Sequence, residues 1–180
     1  MQRRKVFILL TRFLTKSAGP LGVLTGCYYT HTSIGLDEDM NTFYSFVCKG
    51  FVVEKITRYL KPERTPLPCQ LYELEVSEQV YQRLKKHLRS FEKRKPLFRY
   101  TKLGVFMCLL RIPFRQKHHY FCSQFVAEAL MKSEAAQLKK DCSLYLPKDF
   151  RKLPGVRLHF QGNLSSMASH FGMLPSPAWI

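Results

Sequence analysis

A chain of 180 residues with 46% hydrophobic, 13% aromatic and 23% charged residues has the length and composition of one folded domain, and excludes a disordered or low-complexity polypeptide. Lys and Arg total 29 against 13 Asp and Glu, a formal charge of +16. That field attracts polyanions without choosing among nucleic acid, anionic lipid headgroups and anionic cell-wall polymers.

The first element expected is a strand over Lys5 to Thr11. Its apolar core, VFILL, is too short for a signal peptide and is soon followed by Arg12 and Lys16. SAGPLG marks a turn, and Leu21 to Gly26 reads as a short helix or loop. Tyr28 to Leu36 is a second β-rich run, ending at the polar DEDMN. Asn41 to Val47 and Phe51 to Ile56 form a hairpin joined at Lys49-Gly50. Pro62, Pro66 and Pro68 lead rigidly into CQLYELEV, which alternates like a half-buried strand.

Ser77 is an N-cap for a helix whose Val80, Leu84, Leu88 and Phe91 recur at helical spacing. A second helical stretch runs from Leu97 to about Leu110, stopping before Pro113. A third begins at Cys122, with Phe125, Val126, Ala129 and Leu130 as its apolar stripe. Pro147 and Pro154 punctuate a loop-rich end with an edge strand at Val156 to Phe160, and from about residue 165 the chain is expected to be a peripheral tail. Strands first, then helices, with antiparallel connections, give an α+β domain over residues 1–180.

The basic residues are spread along the chain, from Arg3 to Lys5 through Arg89 to Lys95 and Arg111 to Lys117 to Lys139 and Lys140. No aromatic-basic recognition motif accompanies them, so a solvated basic surface is favoured over nucleic-acid binding. No run of about 18 apolar residues is present, and no membrane span is expected. The six cysteines, at 27, 48, 69, 108, 122 and 142, form no CxxC. Free thiols in a reducing compartment are expected, hence a cytoplasmic location.

Two residues invite chemistry. Cys122 opens a helix, where a thiol pKa falls, and Tyr120-Phe121 before it would wall a substrate cleft. A buried helix cysteine fits the same position. His31 lies between Thr30 and Thr32 in a strand, held as a general base must be, or simply packed. His118 and His119 are expected to be solvated and His87 to pack, while His159 and His170 carry no assigned role. A metal site from His118, His119 and Cys122 lacks a fourth donor at a recognisable spacing, so neither metal nor cofactor is expected.

The succession VFILLTR, LTGCYYTHTSIGLD, FYSF with GFVVE, then HHYFCSQFVAEAL resembles the YiiX/YebB-like branch of the permuted, NlpC-type papain-fold cysteine hydrolases. The resemblance spans about residues 5 to 165, and its specific parts are the HxSI strand and the CSQFV helix start. It implies a circularly permuted papain-like fold, with an antiparallel sheet packed against the helix that bears the cysteine. Cys122 then matches the nucleophile and His31 the general base, and the Cys122 amide contributes to an oxyanion hole. The third, orienting residue falls near Ser45, where relatives often carry Glu; Glu54 on the next strand is the nearest carboxylate. The implied reaction is amidase- or peptidase-like acyl transfer on a peptide or lipid-type amide or ester. The alternatives are a lapsed papain-like domain that binds peptide or lipid, and a basic nucleic-acid-binding protein. The basic surface suits an anionic substrate, or peripheral contact with an anionic membrane or cell-wall polymer.

Overall fold

The computed structural model describes residues 3–13, 28–60 and 66–173. The expected SAGPLG turn and the segment from Leu21 to Gly26 lie outside them, as do Cys27, Pro62 and the chain beyond Met173. A six-stranded antiparallel sheet is the framework: β1 (Arg3–Thr11), β2 (His31–Leu36), β3 (Thr42–Val47), β4 (Gly50–Lys55), β5 (Pro68–Ser77) and β8 (Val156–Asn163), in the order β4-β3-β2-β1-β5-β8. Helices α1 (Glu78–Lys93), α2 (Lys102–Leu109), α3 (Cys122–Lys132) and α4 (Leu164–His170) complete an α+β architecture.

β1 reads as an unbroken apolar run because both of its faces are covered. Val6, Ile8 and Leu10 enter a core with Ile34, Phe46, Phe51, Leu84, Leu88, Phe91 and Phe125. Phe7 and Leu9 point into a second core with Phe43, Ile56, Leu71, Leu164 and Met167. The alternation of side chains along a strand makes this division unavoidable. α3 packs on the first face against β2, β3, α1 and the turn at Cys142–Leu144. It is covered all round: every residue from Cys122 to Leu130 is buried, not only the expected stripe.

Ser77 caps α1 as expected, its hydroxyl accepting from the Val80 amide at 3.4 Å. The buried stripe is Tyr81, Leu84, Leu88 and Phe91, so Tyr81 takes the place expected for Val80. The β3–β4 hairpin also forms, with Cys48-Lys49 as its loop and Gly50 opening β4. Gly50 adopts φ +101° and a Cβ there would stand 2.6 Å from the Phe98 carbonyl oxygen, so only glycine fits.

Three expectations are corrected. The stretch from Leu97 to Leu110 is not one helix. Arg99–Tyr100 (β6) pairs in parallel with His119–Tyr120 (β7), and the Thr101 hydroxyl, accepting from the Gly104 amide at 2.9 Å, caps α2 only afterwards. The last strand continues past Phe160 to Asn163. Nor is the chain peripheral from 165: Asn163 caps α4, which buries Leu164, Met167 and Ala168 in the second core.

The Phe125 ring is fully buried and lies 5.2, 5.6 and 5.0 Å from the rings of Phe46, Phe51 and Phe91. Phe125→Ala is expected to cost about 3–5 kcal/mol of stability, against about 1 kcal/mol for Ser77→Ala. Denaturant unfolding of both variants checks the ranking.

Candidate active site

Three elements converge on one buried cluster. β2 begins at His31, opposite Thr11 of the central strand β1, so the imidazole is carried by backbone paired on a fixed register. β4 contributes Glu54, opposite Phe43 of β3, which itself faces Gly35 of β2. α3 contributes Cys122, its first residue, after Phe121 in extended conformation. His31 Nε2 lies 3.0 Å from Glu54 Oε1. The Cys122 thiol is a second polar neighbour of the imidazole, close enough that each group shifts the ionisation of the other. With Nε2 engaged by the carboxylate, Nδ1 is the ring nitrogen that remains available for exchange of a proton with the thiol. The Phe13 ring meets His31 edge-on at a centroid distance of 5.1 Å and fixes its tilt.

Relative exposures of 6% for His31, 7% for Glu54 and 8% for Cys122 place the chain of groups out of bulk water. Burial works against the His31 charge, but the Glu54 carboxylate and the sulfur outweigh it and raise the imidazole pKa. For Cys122, burial alone would favour the thiol. The His31 hydrogen bond and charge, with amides of Thr32 and Ser123 donating to sulfur, reverse the sign and lower its pKa. The first-turn amides of α3 add the positive end of the helix dipole. Other buried thiols move the opposite way: burial pushes Cys69 up to about 12 and Cys142 up to about 11. Cys122 is set apart by its surroundings.

No protein-family model matches this chain, and no curated protein matches it either.

Ser45 does not orient the imidazole. Its hydroxyl donates to the Thr32 carbonyl at 2.6 Å, which spends its proton on the strand that carries His31. Glu54 takes the orienting position, and as a carboxylate it supplies the charge that serine lacks. Tyr120 is no cleft wall: its ring packs among Phe46, Phe91 and Phe98, and its hydroxyl donates to Glu128 at 3.2 Å. Phe121 is buried beside it. Tyr100, which the sequence placed inside a helix, instead sits on β6 close enough to feel Cys122. Burial and the sulfur charge both raise its pKa. A recess of about 270 Å³ reaches Glu54 between Val47, Val52, Arg58 and Tyr59.

The remaining histidines lie elsewhere. His118 and His119 are half-buried rather than solvated; the first lies edge-on to Phe98 and the second bonds the Lys117 carbonyl through Nδ1 at 2.8 Å. His87 packs edge-on against Phe91, and burial lowers its pKa. His159 Nδ1 is 3.1 Å from Glu73 Oε2, and the His170 ring lies 5.6 Å from that of Phe160. Among the described residues no group of three His, Cys, Asp or Glu side chains is arranged to hold a metal ion.

A raised His31 pKa and a lowered Cys122 pKa mean that the thiolate–imidazolium pair is populated at pH values where an ordinary thiol, with pKa about 8.5, is protonated. Alkylation of Cys122 should therefore lose rate at a lower pH than that of the other thiols, which slow about tenfold per pH unit below their own pKa. Glu54→Gln removes the charge that holds the imidazolium. The His31 pKa then falls, the Cys122 pKa rises, and the alkylation inflection moves to higher pH. A pH-rate profile for iodoacetamide, followed on the Cys122 peptide by mass spectrometry, reads the shift; an unchanged inflection would exclude Glu54 as the partner.

Proposed function

We propose that this chain is a thiol hydrolase of the amidase or peptidase class, built on a permuted papain-like arrangement, with Cys122 as nucleophile, His31 as acid and base, and Glu54 as the residue that orients His31. The observation that carries the reading is the Glu54 carboxylate 3.0 Å from the buried imidazole of His31, with the Cys122 thiol at a helix N-terminus as the imidazole's other ionisable neighbour. Chain order supports the permutation: the histidine strand comes first, the carboxylate strand next and the cysteine helix last.

The chemistry follows from the protonation states. The Cys122 thiolate adds to the carbonyl carbon of an amide or ester, and negative charge moves onto the carbonyl oxygen. The Cys122 amide, at the first position of α3, is placed to receive that oxyanion. The C–N or C–O bond then breaks, His31 gives its Nδ1 proton to the leaving group, and a thioester remains on Cys122. Neutral His31 takes a proton from water as hydroxide adds to the thioester; collapse releases the acid and restores the thiolate–imidazolium pair. Glu54 keeps the imidazole in place through both half-reactions and stabilises its charged form. The substrate class is a peptide or lipid-type amide or ester, and the +16 charge suits an anionic one. The binding-only alternative rested on a serine in the orienting position, and the Glu54 contact removes that ground.

An activated acyl ester should acylate the protein in a burst, adding one acyl group located on the Cys122 peptide. His31→Ala leaves burial to hold the thiol pKa at or above its ordinary value, so at most a few per cent is thiolate at pH 7, and the burst should slow by roughly tenfold or more. Cys122→Ala should abolish it. Acylation spread evenly over the cysteines, or unaffected by His31→Ala, would exclude the hydrolase.

A further inference from the structure

Among the described residues eight large hydrophobic side chains are exposed, and five of them, Leu97, Leu103, Phe106, Leu110 and Ile112, fall on or beside α2. Leu103, Phe106 and Leu110 are spaced i, i+3 and i+7 and therefore share one helix face. The opposite face, Thr101, Gly104 and Cys108, is buried against the body of the protein. α2 is thus apolar on its outer side as well as its inner side, which is not the pattern of a helix that ends at water.

The charge around it is equally one-sided. From Lys93 through Ala127 the sequence holds eight Lys and Arg, Lys93 included, and no Asp or Glu. Of these, Lys95, Arg99, Lys102, Arg111 and Lys117 are exposed and form no ion pair among the described residues. A cleft of about 500 Å³ opens at the end of α2, with Leu109, Leu144 and Leu146 among its apolar lining and Arg111, Lys148 and the ion pair Lys140–Asp149 as its charged groups. Protein–protein interfaces are depleted in lysine and enclose their apolar centre in a rim of both signs. Apolar tips within a predominantly cationic surround, in which Lys95, Arg99, Lys102, Arg111 and Lys117 outnumber the paired Asp141 and Asp149, match instead the boundary of an anionic bilayer, where the tips enter the acyl region and the cations meet headgroup phosphates.

We propose that α2 and its flanks dock this protein on the surface of anionic lipid membranes, with Leu103, Phe106 and Leu110 as the inserted face. The docking is peripheral, since among the described residues no helix is long and apolar enough to cross a membrane. It is independent of the hydrolase reading, because it uses none of Cys122, His31 or Glu54.

The test is co-sedimentation of the full chain with vesicles of phosphatidylcholine alone and of phosphatidylcholine mixed with phosphatidylglycerol. Binding to the mixed vesicles, weakened by salt, is expected, with little on phosphatidylcholine alone. Phe106→Asp, an exposed change that leaves the core intact, should weaken binding by roughly tenfold or more. Lys102→Glu with Lys117→Glu should weaken it by at least about fivefold per site. Cys122→Ser should bind as the wild type does, so loss of turnover and loss of docking are read apart. Three results would overturn the proposal: no binding to either vesicle, binding that Phe106→Asp leaves unchanged, or a dimer in analytical ultracentrifugation that Phe106→Asp dissolves while vesicles are ignored.

Discussion

The contact between His31 and Glu54 decides the electrostatics of the whole cluster. A buried thiol left to itself becomes harder to ionise, as Cys69 and Cys142 demonstrate. An imidazole left to itself in the same surroundings becomes harder to protonate, as His87 demonstrates. A carboxylate 3.0 Å from Nε2 changes the second outcome, and the resulting imidazolium changes the first. Glu54 favours the charged imidazole, and His31 and Cys122 then stabilise each other's charge. Removing the carboxylate leaves two buried groups that would both prefer to be neutral.

Holding three ionisable groups out of water is costly, and the fold offsets that cost with fixed dipoles rather than with solvent. Sulfur receives the amides of Thr32 and Ser123, one from the strand that bears the histidine and one from the helix that bears the cysteine. Those two elements are locked together by the first core, in which Ile34 of β2, Phe46 of β3 and Phe125 of α3 all take part. Ser45 has a place in this support: by bonding the Thr32 carbonyl at 2.6 Å it ties β3 to the segment that carries His31. The precision of the site is therefore inherited from strand register and helix packing, not from loops.

What the sequence revealed and what it hid divide along the same physical line. Local signals were legible: the apolar run of β1, the cap at Ser77, the hairpin turn before Gly50, and a cysteine at a helix start with a histidine in a strand. These are set by residues within a few positions of one another. Glu54 against Ser45 was not decidable locally, because the answer depends on how β2, β3 and β4 align and twist, a tertiary property. The stretch from Leu97 to Leu110 misled for a related reason. Its apolar residues suit a helix throughout, yet parallel pairing of Arg99–Tyr100 with His119–Tyr120 takes the first part, and a Thr101 cap postpones the helix. α4 was overlooked because LSSMASH is short and mostly polar; its burial comes from the second core, to which Phe7, Leu9 and Phe43 already commit the other face of the sheet.

That same pairing of β6 with β7 joins the outer surface of the protein to its interior. The Thr101 amide bonds the Tyr120 carbonyl at 3.1 Å, so the residue that caps α2 is fastened to the strand that ends two residues before Cys122. Gly104 lies under the Thr101 methyl, where a Cβ would stand 2.6 Å away, and within ordinary contact of the Phe121 ring at 3.4 Å. Tyr100, one residue before the cap, feels the charge of the sulfur. The apolar face of α2 is thus joined to the body of the protein through a short, hydrogen-bonded segment that ends next to Cys122, and through its packing on the turn at Cys142–Leu144. On the proposed readings, a surface that meets lipid and a thiolate that attacks an acyl carbonyl are therefore tied together through the Thr101–Tyr120 hydrogen bond, two residues from Cys122.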